Sequence, residues 1–310
     1  MRITFFGKGG SGKTTLATAF VKYLEYKNKK VLAVDADINV NLATALNMPK
    51  KYLGDIFDVV CSSLESNKER HFIGSSPATR ESRFIKDGLD DQFLKEFATF
   101  NEKGTALLTV GTYTDSKIGF DCYHSKLGSA VFIYNRLLDG KDLYVVTDAT
   151  AGIDSVGTSM FNVSDLNVFV VEPTKKSVDV YKEFRDIVST HGIETYVIAN
   201  KIKSQDDIDF IAKNIDSKYI LDFIHESDDL RKFEQGDEEG LDRFVINNEN
   251  ILSQVKNRLD SIEKDWDRYY QVQKQIYIDD VGDWYSQFYG EDLTKYIDED
   301  FSYKDVINND

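Results

Sequence analysis

The chain has 310 residues, of which 41% are hydrophobic, enough for a sizeable core. Lys and Arg number 38 against 53 Asp and Glu, a net charge of −15. An acidic surface repels phosphate backbones and anionic lipid, which argues against nucleic acid and membrane as partners. Two cysteines, Cys61 and Cys122, make no disulfide framework, no run reaches the roughly 18 apolar residues of a membrane span, and no leader precedes Ile3, so the chain reads as soluble and cytoplasmic.

The first expected strand, Arg2–Phe6, runs into Gly7-Lys8-Gly9-Gly10-Ser11-Gly12-Lys13-Thr14-Thr15, after which Leu16, Ala17, Phe20, Val21 and Leu24 mark a helix over Lys13–Tyr26. The spacing G-x-x-x-x-G-K-T between a strand and a helix is that of a P-loop, whose amides converge on the β- and γ-phosphates of a nucleotide. Lys13 adds a point charge on the same oxygens and Thr14 offers a hydroxyl to magnesium.

A second strand, Lys30–Val34, leads to Asp35-Ala36-Asp37 and then Asn39-Val40-Asn41-Leu42. Residues 50–104 are polar, with helical stretches at Leu53–Leu64 and Gln92–Phe100 and a loop at Gly74–Thr79, and read as an inserted helical lobe or lid. Further strands are expected at Ala106–Val110, Leu143–Thr147, Asn167–Val171, Thr195–Ala199 and Lys218–Leu221, with helices at Lys126–Leu138, Ser177–Thr190 and Asp206–Asn214. This alternation predicts an α/β fold, a mostly parallel sheet with helices on both faces, in residues 1–250. Nucleotides bind such sheets at the carboxyl ends of the strands, where all these motifs lie.

Residues 251–310 form the remainder. Leu252, Val255, Leu259, Ile262, Trp266, Tyr269, Gln273 and Ile276 recur three and four apart and predict one long helix, packed on its own domain or forming a coiled coil or partner-binding stripe. Beyond Gly282 the tail is rich in aromatic residues, and this region has 7 basic against 14 acidic residues.

The loop resembles the deviant Walker A motif K-G-G-x-G-K-T-T of the MinD/ParA family of P-loop ATPases, with Lys8 as the extra lysine. The resemblance implies an ATP-dependent homodimer in which Lys8 reaches the partner's phosphates. It implies that Asp37, second acid of the A′ motif, orients the attacking water and touches the magnesium shell, with Asp35 as support. Asp148, ending an apolar run, has the form of the Walker B acid on a magnesium-bound water, and Ala151-Gly152 that of a second switch. Thr150 departs from the family's acidic or polar residue before Ala-Gly, which bears on hydrolysis rate. Glu172-Pro173 and Asn200 stand where related ATPases meet the base, with Asn200 on the adenine edge or else a helix-start residue without base contact. Lys203 replaces the aspartate of a guanine-reading N-K-x-D motif, so ATP and ADP are preferred over GTP.

Asp148-Ala149-Thr150-Ala151-Gly152-Ile153-Asp154, then Asp165 and Val171-Glu172-Pro173-Thr174, resemble the CooC-type accessory ATPases of carbon monoxide dehydrogenase. That branch carries C-x-C before Walker B, where this chain has Cys122-Tyr123-His124. Two copies meeting across a two-fold axis would give a Cys₂His₂ set for zinc or nickel, and otherwise Cys122 and His124 are plain structural residues. The implied function is an ATP-hydrolysing dimeric switch acting on a client protein, in metalloenzyme maturation. Alternatives are a ParA/MinD-like positioning ATPase, a nucleotide-dependent adaptor, and a tyrosine-kinase-like protein, whose tail would be tyrosine-rich but whose loop lacks a Lys8.

Overall fold

The computed structural model of the chain describes residues 1–67, 70–113 and 123–308. Its centre is an eight-stranded sheet: β1 (Arg2–Gly7), β2 (Lys30–Ala36), β3 (Thr99–Phe100), β4 (Ala106–Thr109), β5 (Leu143–Ala149), β6 (Leu166–Val171), β7 (Thr195–Ile202) and β8 (Ile220–His225). The spatial order is β3-β4-β2-β5-β1-β6-β7-β8, and every pairing is parallel except β3 with β4. β3 was not expected. Its two residues fold back on Ala106 and Leu107, so the predicted helix through Phe100 stops at Phe97.

The central strands are buried on both faces and their side chains alternate between two cores. Val31 and Ala33 of β2, Ile3 and Phe5 of β1, and Val168 and Val170 of β6 face one layer. Leu32, Val34, Phe6, Phe169 and Val171 face the other. The first layer is covered by α1 (Lys13–Tyr26), α2 (Asn41–Ala45), α8 (Asp228–Glu234), α9 (Glu238–Asn247) and α10 (Glu249–Asp260), with Leu16, Phe20, Leu241, Phe244, Leu252 and Val255 pointing inward. The second is covered by α3 (Phe57–Leu64), α4 (Gln92–Phe97), α5 (Tyr123–Tyr134), α6 (Lys175–Ser189), α7 (Gln205–Asn214), α11 (Trp266–Asp280) and the final helix Tyr303–Asn308.

Three sequence expectations change. The predicted Lys126–Leu138 helix runs from Tyr123 to Tyr134. Its last four residues are irregular because Ile85 pairs with this stretch, the Ile85 amide donating to the Arg136 carbonyl and the Leu138 amide to the Ile85 carbonyl. The described residues of 50–104 hold the short helices α3 and α4, two 3₁₀ turns, β3 and much irregular chain. Val60, Leu64, Ala78, Ile85 and Phe93 sit in the same core as the sheet, so the segment is packed against the sheet's second face.

The single long helix expected from Leu252 to Ile276 is two helices, α10 and α11, separated by Ser261–Asp265. Leu252, Val255 and Leu259 belong to the α1-side core, whereas Tyr269 and Tyr270 belong to the opposite one. A straight helix cannot reach both faces of a sheet, so the chain turns beneath the strands. Lys264 in the turn lies 2.6 Å from Asp139 and 3.2 Å from Asp165, and the Asp265 carboxylate accepts the Arg268 amide at 2.9 Å to start α11.

Candidate nucleotide site

The sheet places the ends of β1, β2, β5, β6 and β7 along one edge, and the predicted site residues gather there. From β1 the chain passes through Gly7–Gly12 into α1 with left-handed φ at Gly10 (+83°) and Gly12 (+99°). Gly12 is doubly constrained, because a Cβ there would also lie 2.3 Å from Asn200 Nδ2. A Cβ on Gly7 would lie 2.4 Å from Ser11 Oγ and 2.9 Å from the Val170 carbonyl, so the loop is seated tightly on β6. A Cβ at Gly9 would only touch Ala151 at 4.0 Å. The Ser11 amide donates to the Lys8 carbonyl at 3.0 Å, and Ser11 Oγ is buried without a hydrogen-bond partner among the described residues.

At the start of α1, Lys13 Nζ donates to Asp37 Oδ2 at 2.5 Å and lies 3.9 Å from Asp148 Oδ1. The Thr14 hydroxyl donates to Asp148 Oδ2 at 2.6 Å, with Thr15 the next residue of the helix. Asp37 Oδ1 accepts the Asn39 backbone amide at 2.9 Å and its side-chain amide at 2.8 Å. Asp35, fully buried, accepts the Ala43 amide at 2.9 Å and so ties α2 to the end of β2. Between them Val40 is buried at φ +51°, a strained conformation for a β-branched residue.

Three carboxylates and one ammonium therefore share a dry space. Burial pushes the Asp148 carboxyl up to about 7, Lys13 opposing and Asp35 adding to the rise. Burial likewise raises Asp35 to about 6. For Lys13, burial works against the charge, but Asp148 and Asp37 outweigh it and its pKa is raised. Asp148 Oδ1 is buried with no hydrogen-bond partner among the described residues, beside a hydroxyl and a second carboxylate. Hard oxygen donors with one left open suit a magnesium ion, and Thr14, Asp148 and Asp37 could hold it.

On the other side of the loop, Asn200 Nδ2 donates to the Ser11 carbonyl at 2.8 Å. Asn200 lies inside β7, four residues before Ser204, the N-cap of α7, so it does not start a helix. Glu172 and Pro173 lie in the turn after β6, where the Thr174 side chain caps α6. Gly152, at φ +73°, opens a short 3₁₀ turn that continues from Asp148.

Sequence reasoning missed two residues. Tyr123 lies between the two residues singled out for metal. Its hydroxyl is buried without a hydrogen-bond partner among the described residues, and burial followed by Asp35, Asp37 and Asp148 raises its pKa strongly. Lys201, noted only as part of an Asn-Lys pair, takes φ +62° and donates to the Gly10 carbonyl at 2.6 Å and to Glu172 at 2.8 Å. For the metal pair itself, Cys122 lies outside the described residues, and His124 Nε2 is 3.7 Å from Asp154. Among the described residues no group of three or more His, Cys, Asp or Glu side chains is arranged to hold a metal ion, and no helix is long and apolar enough to cross a membrane.

The family model of the CobQ/CobB/MinD/ParA nucleotide-binding domain matches residues 3–239. The carbon monoxide dehydrogenase accessory protein CooC of Rhodospirillum rubrum is 29% identical over 222 residues, covering 71% of this chain and 82% of that protein. An uncharacterized ATP-binding protein of Methanocaldococcus jannaschii is 30% identical over 208 residues, covering 66% and 77%. The solved MinD cell division protein of Aquifex aeolicus superposes with a TM-score of 0.54 at 22% identity, over 85% of this chain and 98% of its own. A putative plasmid partition protein of Borrelia burgdorferi bound to AMPPNP gives 0.53 at 18% identity, over 83% and 98%. These last two show the fold. The match over 237 residues, together with a P-loop seated on a parallel sheet, places this chain in the CobQ/CobB/MinD/ParA nucleotide-binding family.

Proposed function

We propose that the chain is an ATP-driven dimeric switch that binds ATP with magnesium at the Gly7–Thr15 loop, hydrolyses it slowly to ADP, and holds a client protein differently in the two states. The observation that carries this reading is the Lys13–Asp37–Asp148–Thr14 cluster, in which a buried carboxylate oxygen is left open beside the loop. Magnesium, when bound by Thr14, Asp148 and Asp37, would neutralise charge on the phosphate oxygens.

The chain's own residues do the rest by positioning. Lys13 is held by Asp37, and a triphosphate in the loop competes for it. When Lys13 turns to the phosphates, Asp37 Oδ2 is released, and that carboxylate can orient a water, while Asn39 keeps Oδ1 fixed. Lys8, at the rim of the loop with its side chain 28% exposed, would reach a partner's phosphates by leaving Glu172, which lies 3.8 Å away. Asn200, Glu172 and Pro173 line the side on which the adenine would lie.

The name of the R. rubrum relative supports a client of the metalloenzyme class. Zinc or nickel held between two copies by Cys122 and His124 is the further part of this reading. Titration calorimetry with Mg·ATP, sedimentation with and without nucleotide, phosphate release and metal analysis of the dimer test it together. Absence of nucleotide heat, or a chain that stays monomeric with saturating Mg·ATP, would sink it.

A further inference from the structure

Lys8 does not stand alone on its loop. Its Nζ donates to the Gly9 carbonyl at 3.1 Å and lies 3.8 Å from Glu172 Oε2, the one carboxylate within 4.0 Å among the described residues. Glu172 is itself anchored. Its amide donates to Ser177 Oγ at 3.0 Å, its other oxygen accepts Lys201 Nζ at 2.8 Å, and its side chain is 18% exposed. Lys201 reaches that point because the β7–β8 register breaks between Ala199 and Ile202 and its own backbone turns left-handed. The same ammonium donates to the Gly10 carbonyl. One carboxylate thus bridges two lysines, and both lysines also hold carbonyls of the phosphate loop.

We propose that Glu172 is the positioning residue of Lys8. It keeps the Lys8 ammonium on its own loop until a nucleotide-loaded partner arrives, and Lys201 sets how firmly by sharing the carboxylate. The inference rests on the reading of a Lys8-closed dimer. For Lys8 to engage phosphates across a two-fold axis, the Lys8–Glu172 pair must open in both copies. The pair is partly exposed, so its opening is a modest effect, and the two copies multiply it.

The test is the dimer dissociation constant of the full chain, by sedimentation with magnesium and a saturating non-hydrolysable ATP analogue, with analogue affinity measured separately by calorimetry. Glu172→Gln should tighten the dimer by about three- to tenfold. Lys201→Met leaves Lys8 as the sole cation on Glu172 and should loosen the dimer by about twofold or more. Damage to the fold would loosen both, so the opposite signs are what a structural role would not produce. A Glu172→Gln dimer equal to or weaker than the wild type overturns the inference while leaving the dimer reading intact. A wild-type chain that stays monomeric overturns the dimer reading and this inference with it.

Discussion

At the N-terminal edge of the sheet Asp139 is buried among cations, whereas at the C-terminal edge Asp148 is buried among acids. Asp139 accepts the Met1 ammonium at 2.6 Å, Arg2 Nε at 2.6 Å and Lys264 at 2.6 Å, and these cations hold its carboxyl far below the usual range despite full burial. Asp148 has Thr14 and a distant Lys13, and it keeps an unbonded oxygen. The first cluster is complete without any ligand. The second is left short of positive charge, which a nucleotide-bound cation would supply. Buried charge stabilises a fold only when it is matched, so an unmatched cluster of acids beside the glycine loop points to stability given over to binding.

The comparison is most severely tested by Asp139→Asn. It strips the counter-charge from the buried Met1 ammonium and Arg2, with Lys264 left only Asp165, and should destabilise the chain by about 3–5 kcal/mol in urea unfolding. Nucleotide affinity of the folded fraction should stay unchanged. A loss under about 1 kcal/mol would show that this edge is not held by its ion network.

At the other edge, Lys13→Ala should weaken ATP binding by about 100-fold or more in calorimetry, by removing the ammonium from the loop. Binding within a few-fold of wild type would mean the nucleotide lies elsewhere.

The two edges should also respond to pH in opposite senses. A lowered carboxyl such as Asp139 contributes stability that is present above its unfolded pKa near 3.8 and is lost as pH falls below it. Asp35 and Asp148 are raised to about 6 and about 7, so between pH about 4 and those values they hold a proton in the folded chain that the unfolded chain releases. Their contribution is therefore lost as pH rises from about 4 through 7. Asp148→Asn should make the nucleotide-free chain about 1–2 kcal/mol more stable at pH 8 and flatten that upper limb, while weakening Mg·ATP binding. A nucleotide-free chain whose stability is flat from pH 4 to 7 would contradict the account of this edge.

The smallest expected effect is Lys264→Met. Arg2 and Met1 still face Asp139, so the loss should be about 1–2 kcal/mol. Destabilisation as large as that of Asp139→Asn would mean that the α10–α11 turn, and not the ion cluster, limits stability.

Much of this molecule is visible in local sequence. Lys8–Thr15 announces its chemistry because a phosphate cradle is built from consecutive backbone amides, and no distant residue is needed to recognise it. Helix α1 matches its expected span, and the central strands were expected to within a few residues. The α10–α11 break was hidden because the three-and-four spacing continues across it, although its two halves serve different cores. β3 was hidden because two residues have no period and exist only by pairing with β4. Lys201 and Tyr123 became site residues through a register break and a helix entry that bring them to the loop and the carboxylates.

By itself, the sequence determined that a strand, a glycine loop and a helix would make a phosphate-binding turn, and that acids would end the second and fourth expected strands, now β2 and β5. These follow from short-range sterics and the two-residue and 3.6-residue periods. Only the tertiary structure decided which acid is matched and which is left open, since the apolar run before Asp148 marks a strand end but names no partner, and Asp139 carries no motif at all. Their difference arises from the partners that packing delivers: Lys264 from beyond α10 at one edge, and Asp35 and Asp37 from the neighbouring strand at the other.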